Sequence, residues 1–372
     1  MAKFGFLSHS DMSIYFFRAP IMRKLKELGH EVYAIAPKGK YTPNLEKEFI
    51  SVNYDLDKAS LNPFKVSQNT ANLTKVLKEL NLDFLQTSAH KSNVFGTIAA
   101  KNAGIRTVIN LIEGLGSFYV DNDLKSRVVR FVMEKLYKKS FALANGCIFV
   151  NHSDPRYMVD KNLITIDKVF CIKSVGVDSK LFDEEKYLDA KMSHKKVVLM
   201  IGRALWHKGI REFYEAADIL SNRDDVQFVF AGDTFEGNKS SASKEFLKNP
   251  NVLWLGWCED VFSLYKSAYM VVLPTYYKEG FPRTILEAMS MSRPCVVSNA
   301  DGCVEAVEDG HTGLICQMKS SVDLARKIKI LLDDENLARK MGYYGRKAVL
   351  EKYDEPIITQ KYLDIYRQFL YV

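Results

Sequence analysis

The sequence predicts an α/β protein made of two doubly wound, Rossmann-like domains, and three observations predict it. Short apolar runs rich in β-branched residues alternate with amphipathic helical stretches, the pattern of βαβ units on a parallel sheet. The alternation runs through the first 180 residues and then starts again. The 372 residues, 47% of them apolar, suffice for two separate cores.

In the first half, strands are expected at Phe4–Ser8, Val32–Ala36, Phe84–Ser88, Thr107–Ile112 and Cys147–Asn151. Helices are expected around 18–28, 65–79, 93–103 and 124–143. The second set of strands is Val197–Ile201, Gln227–Ala231, Val252–Leu255, Met270–Leu273 and Cys295–Ser298. Its helices lie around 208–221, 259–267, 283–291, 320–333 and 335–351. The polar stretch 179–195 reads as a linker, which places one domain at 1–180 and the other at 181–354. The amphipathic stretch Pro356–Phe369 is expected to cross back to the first domain. Open α/β sheets bind ligands at the carboxyl ends of their strands, so two such edges facing each other predict a two-substrate cleft.

No run of about 18 apolar residues occurs, so no transmembrane helix is expected. The N-terminus opens on a strand without a basic and then apolar leader, so no signal peptide is expected. Six scattered cysteines, none spaced C-x-x-C, read as reduced thiols of a cytosolic protein. The net charge of +7 is uneven: residues 1–180 carry 26 Lys and Arg against 17 Asp and Glu, and residues 181–372 carry 26 against 28. The basic half favours an anionic partner. It lacks the aromatic interleaving of RNA-binding platforms, and no helix-turn-helix is evident, so nucleic acid is not expected.

The most informative segment runs from Thr275 to Met289. A buried strand ends at Pro274, a tight loop carries Glu279, Gly280 and Phe281, and Pro282 suits the first turn of a helix. The N–H groups of Arg283 and Thr284 then form a helix-end anion site. Glu287, one helical turn on, leans back toward that end. Carboxylates accept hydrogen bonds from sugar hydroxyls, and a diphosphate needs cations, which Arg203 and Lys208 supply at the same sheet edge. Taken singly, each of these residues reads equally well as a solvated charge, the acids favoured by the helix dipole. Taken together they describe a nucleotide-sugar site.

With seven residues between them, Glu279 and Glu287 resemble the E-x7-E motif of retaining GT-B glycosyltransferases of family four. Arg203 and Lys208 match that family's R-x4-K pair, Val175-Gly176-Val177-Asp178 resembles its turn before the linker, and Leu255-Gly256-Trp257 with Cys258 and Asp260 resembles its base-binding loop. A narrower resemblance is to the N-acetylgalactosaminyltransferases of bacterial N-linked protein glycosylation. It rests on Gly5-Phe6-Leu7-Ser8-His9, the stretch 59–64, Ala89-His90-Lys91-Ser92-Asn93, Glu113-Gly114-Leu115-Gly116-Ser117-Phe118-Tyr119 and Ala204–Gly209. It implies retaining α-1,3 transfer of GalNAc from UDP-GalNAc to an undecaprenyl-diphosphate-linked diacetamido-sugar; because side chains such as Arg203 and Lys208 carry the positive charge, no metal cofactor is expected. It also implies an acceptor role for the first domain and a donor role for the second. The alternatives are another UDP-sugar transferase of lipopolysaccharide or capsule assembly and a UDP-sugar 2-epimerase.

The resemblance gives His90 a place near the transferred sugar; as a lone histidine it reads equally as a satisfied core or capping residue. Glu113, flanked by glycine, either caps loop N–H groups or binds or deprotonates the acceptor hydroxyl. His9, Asp11, Lys91 and Asn93 are further acceptor-side candidates. Where the family often has paired glycines after its first strand, this chain has Ser8-His9-Ser10-Asp11, so side chains are expected to take the role of backbone there. Asp55-x-Asp57 and Asp121-x-Asp123 match a D-x-D metal motif only formally in a chain with 45 acids. Helix 124–143 places Lys125, Arg127, Arg130, Lys135, Lys138 and Lys139 beside Val128, Phe131, Val132, Leu136 and Phe141. It reads either as an ordinary domain helix or as a patch for an anionic membrane surface, extended by Phe16, Phe17 and Arg18.

Overall fold

The computed structural model describes residues 1–54, 63–187, 194–235 and 237–370. The chain divides into two compact units, Met1–Lys173 with Ile358–Val372, and Ser174–Ile357.

The sheet of the first unit contains β1 (Lys3–Leu7), β2 (Glu31–Ala36), β3 (Ile50–Asn53), β4 (Phe84–Ser88), β5 (Thr107–Ile112), β6 (Gly146–Phe149) and β7 (Val169–Cys171). All pairings are parallel, in the order β3-β2-β1-β4-β5-β6-β7. Three of these strands, β4, β5 and β6, are buried at every position, and β1 at every position but the half-buried Lys3, as continuous apolar runs under two-sided cover require. The strand order reverses between β1 and β4, the point where doubly wound sheets bind ligands.

The returning C-terminal helix Glu355–Arg367 packs on the face that carries Phe4 and Phe84, which are partners in the β1–β4 register. Tyr366 lies 6.4 Å from the Phe4 ring and 4.7 Å from the Phe84 ring. The short turn after it places Phe369 against Phe170, ring centroids 5.6 Å apart.

The second sheet holds β8 (Lys196–Ile201), β9 (Val226–Ala231), β10 (Val252–Gly256), β11 (Ala268–Leu273), β12 (Cys295–Ser298) and β13 (Gly313–Cys316). Its order is β10-β9-β8-β11-β12-β13, again parallel, with its reversal between β8 and β11. A contiguous core that includes Phe213, Phe230, Met270, Leu324 and Ile328 covers one of its faces.

Three strands exceed the sequence expectation: β3, β7 and β13. The first two are short, and the four residues Ile-Ser-Val-Asn of β3 sit at an edge with two of them exposed. Helix Asp11–Phe17 was also not expected. Its near-continuous apolar run has no 3.6-residue period, and the Ser10 side chain caps it by accepting from Ser13 N–H. The helix expected at 18–28 begins only at Ala19, because Arg18 ends one helix and starts the next ahead of Pro20. Residues 93–103 open as a π-turn, Ser92–Gly96, before the helix Thr97–Asn102.

Replacing Tyr366 with alanine removes a fully buried aromatic from the Phe4–Phe84 contact. It is expected to destabilise the first unit by about 3–5 kcal/mol, read as lost amide-exchange protection in β1 and β4.

Candidate functional site

In the second unit, the loops after β8 and β11 meet at the strand-order reversal. Gly209 makes that meeting possible. Its φ is +80°, and a Cβ there would lie 2.1 Å from the Pro274 carbonyl oxygen. The two loops are stitched by Tyr276 N–H donating to the His207 carbonyl at 2.8 Å and by Thr275 Oγ1 donating to the same carbonyl at 3.1 Å. Lys208 is thereby set against Glu279, with Nζ 2.5 Å from Oε1. Thr275 Oγ1 lies 3.0 Å from the same carboxylate oxygen. The Lys208 ammonium also sits 5.3 Å from the Tyr277 ring centroid. Both members of the pair are largely buried, so it is screened less than a surface pair.

Gly302 fixes the next turn of the loop, since a Cβ on it would come within 2.4 Å of the Gly280 carbonyl oxygen. Phe281 is buried against Tyr353, ring centroids 5.3 Å apart. Pro282 occupies the N-cap of helix Arg283–Ser290 in extended geometry, one residue before the helix rather than inside its first turn. Thr284 follows in that turn, half-buried. Glu287 leans back as expected: Arg283 Nε donates to Oε1 at 2.9 Å and Tyr265 donates to Oε2 at 2.8 Å. Burial pushes the Glu287 carboxyl up, while Arg283 and the Tyr265 hydroxyl oppose that shift.

Arg203 is exposed beyond β8, its guanidinium 5.5 Å from the Phe235 ring centroid. Trp257 stands 66% exposed after β10, at the same sheet edge. Burial and Asp260 push the neighbouring Cys258 thiol up. Asp260 itself caps helix Val261–Ser267 by accepting from Ser263 N–H.

In the first unit, His9 and Asp11 follow β1, and His90, Lys91 and Asn93 follow β4, the two strands flanking its reversal. His90 is half-buried, hydrogen-bonded through Nδ1 to the Tyr137 hydroxyl and 5.0 Å from the Phe118 ring centroid. Burial, with His9 nearby, lowers its pKa to about 4, so its imidazole is neutral at physiological pH. Glu113 lies at the end of β5, before Gly114 and Gly116, whose φ values of 132° and 81° suit glycine. Burial pushes its carboxyl up, opposed by Arg18 at 3.8 Å.

Two acceptor-side candidates are drawn into the framework instead. Asn93 is buried, with Oδ1 accepting from Thr87 and Nδ2 donating to the Leu111 carbonyl. Asp11 is buried too, and its carboxylate accepts from Tyr41 N–H at 2.7 Å and from Thr42 Oγ1 at 3.1 Å. His9 and Lys91 remain half-buried at the edge. Arg18 corrects the expected surface patch: it is 2% exposed, its guanidinium 5.2 Å from the Tyr362 ring centroid, so it cannot extend a membrane face. Phe16 is exposed and Phe17 half-buried.

Asp55 and Asp57, like residues 59–62, lie outside the described residues. Asp123 is a helix cap, accepting from Ser126 N–H and Oγ. It begins the helix Leu124–Leu143, whose surface exposes Leu124, Val128, Phe131 and Val132 together with Lys125, Arg127, Lys135, Lys138 and Lys139. Arg130 turns back instead, donating to the carbonyls of Phe118 and Asp121. Among the described residues no helix is long and apolar enough to cross a membrane.

Two doubly wound parallel sheets, each with one strand-order reversal, and the Lys208–Glu279 pair beside a second, buried acid fit a glycosyltransferase of the GT-B fold. The chain belongs to the group 1 glycosyl transferases: the model of that family matches residues 183–348, and one described as glycosyl transferase 4-like matches residues 6–151. It is 45% identical to the N,N'-diacetylbacillosaminyl-diphospho-undecaprenol alpha-1,3-N-acetylgalactosaminyltransferase of Campylobacter jejuni, covering 98% of each chain. It is 25% identical to the Escherichia coli UDP-Gal:alpha-D-GlcNAc-diphosphoundecaprenol alpha-1,3-galactosyltransferase, over 81% of this chain and 79% of that one. Anabaena Alr3699/HepE, solved in complex with UDP, shares the fold at a TM-score of 0.80 and 18% identity, covering 98% of this chain and 100% of that one.

Thr275, Tyr265, Tyr137 and Arg18 are contacts of the candidate site that the sequence did not announce. Thr275 adjoins the recognised motif and carried a signal. The other three touch Glu287, His90 and Glu113 from distant elements and carried none.

A double-mutant cycle on Lys208→Ala and Glu279→Ala is expected to give a coupling of about 1–2 kcal/mol in unfolding free energy. Each single variant leaves one largely buried charge without its partner.

Proposed function

We propose that this glycosyltransferase transfers GalNAc from UDP-GalNAc to undecaprenyl-diphosphate-linked N,N'-diacetylbacillosamine, forming an α-1,3 linkage with retention, in protein N-glycosylation. The observation that carries the substrate assignment is the 45% identity over 98% of both chains to a transferase named for that reaction. The donor role of the second unit is supported by the Lys208–Glu279 pair at its strand reversal and by a fold neighbour solved with UDP.

In this reading, Trp257 and Cys258 mark the base site, and Glu287 takes the ribose hydroxyls. Arg203, Lys208 and the N–H groups of Arg283 and Thr284 after Pro282 take the diphosphate, with Gly280 and Phe281 shaping the loop. Glu279 and His90 orient the transferred sugar, and Glu113 takes the acceptor hydroxyl. The bond from the sugar's anomeric carbon to the β-phosphate oxygen breaks. The bond to the acceptor oxygen forms on the same face, and the acceptor proton passes to the departing phosphate. Neutralisation by Arg203 and Lys208 lowers the cost of the charge that develops there, so no metal is required. The first unit binds the acceptor, and helix Leu124–Leu143 rests on the anionic cytoplasmic face of the membrane.

Two experiments test this. Incubating the protein with a panel of UDP- and GDP-sugars and the lipid-linked diacetamido-sugar is expected to give a single added HexNAc by mass from UDP-GalNAc, insensitive to EDTA. Glu279→Ala with Lys208→Ala should abolish that product; full activity in that double variant, or conversion of the UDP-sugar without acceptor, contradicts the reading. For the membrane face, Val128→Asp with Phe131→Asp should cut co-sedimentation with phosphatidylglycerol vesicles at least fivefold while UDP binding stays unchanged.

A further inference from the structure

We propose that Tyr137 is a positioning residue for His90, holding the imidazole as the Nε2–H tautomer so that it meets the substrate as a hydrogen-bond donor. The inference rests on the reading that His90 serves the transferred sugar.

Tyr137 projects from the inner face of helix Leu124–Leu143 and is fully buried. Its ring stacks on Phe141, centroids 5.0 Å apart and 21° from parallel. That hydroxyl bonds His90 Nδ1 and has no other hydrogen-bond partner among the described residues. The identity of the donor follows. A hydroxyl has one proton to donate, while an imidazole nitrogen either donates or accepts. If Nδ1 carried the proton and donated, the tyrosine proton would be buried without an acceptor, an arrangement native structures avoid. If the hydroxyl donates to Nδ1, both groups are satisfied and the imidazole proton lies on Nε2.

His90 holds only one ring proton, because burial keeps it neutral, and the Tyr137 hydroxyl stays protonated, its pKa raised by burial. Phe118 packs near the imidazole at 5.0 Å, at 59° to its plane, and limits its rotation. The backbone supports a built arrangement as well. Ala89, just before His90, has φ +71°, a left-handed geometry costly for alanine. Its carbonyl accepts from Asn93 N–H at 2.8 Å. An Nε2–H donor suits sugar hydroxyl and phosphate oxygens, which are acceptors. The reverse tautomer would face a phosphate with a lone pair.

The test is long-range 1H–15N correlation on histidine-labelled full-length protein, with His90 assigned by His90→Gln, alongside steady-state kinetics. The wild type should show Nε2 as the protonated nitrogen. Tyr137→Phe keeps the ring and loses the hydroxyl. It should yield a mixture of tautomers, a roughly tenfold lower kcat and a donor KM changed less than twofold. Phe141→Leu, which loosens the same packing without touching His90, should lower thermal stability and leave the tautomer as it was. Protonated Nδ1 in the wild type overturns the proposal, and that reading alone decides if the variant fails to fold. An unchanged tautomer in a folded Tyr137→Phe also overturns it. Full transfer by His90→Ala would instead defeat the assigned role of His90, and the tautomer assignment would be judged separately.

Discussion

The contact on which the Lys208–Glu279 pair depends is the close passage of the Lys208-Gly209 turn over Pro274. Only a residue without a Cβ fits there, and with it the loops of two adjacent strands share hydrogen bonds and bring an ammonium onto a carboxylate. A lysine and a glutamate separated by 71 positions in the chain thus become one preorganised unit. Removing water from around such a pair raises its electrostatic weight. The pair is held by the fold itself, through the contact between the loops after β8 and β11.

Glu287 follows a similar logic. Burial raises the cost of its charge, and Arg283 and Tyr265 offset part of that cost while fixing both oxygens. The first unit handles its candidate groups in another way. There the side chains after β1 and β4 divide into framework and site: Asp11 and Asn93 knit loops and the π-turn, while His90 and Glu113 stand near the ends of β4 and β5. After the first strand the chain passes directly into helix Asp11–Phe17, which the Ser10 side chain caps.

Much of the fold was legible in the sequence because continuous Val, Leu and Ile runs mark strands buried on both faces. β4, β5 and β12 were read to the residue. The strands that escaped, β3, β7 and β13, are three or four residues long and each lies at an edge of its sheet, whereas the equally short β12 lies inside its sheet and is buried throughout. The grouping of Lys208, Glu279 and Glu287 was legible because its members are close in sequence or repeat a known spacing. Arg18 was not: a helical arginine next to phenylalanines looks like a surface patch, and its burial depends on Tyr362, 344 positions away, and on Glu113. Tyr137 was hidden for the same reason, being one apolar-face residue among several on an amphipathic helix.

The most direct measurement for the central claim, that the nucleotide diphosphate is held at the β8–β11 reversal of the second unit, is photolabelling with 5-azido-UDP-GalNAc followed by peptide mapping. Labelling in the 202–209, 254–260 and 275–287 segments, competed by UDP and lost in Lys208→Ala, is the predicted result. Label confined to residues 1–173, or undiminished by Lys208→Ala, would contradict it.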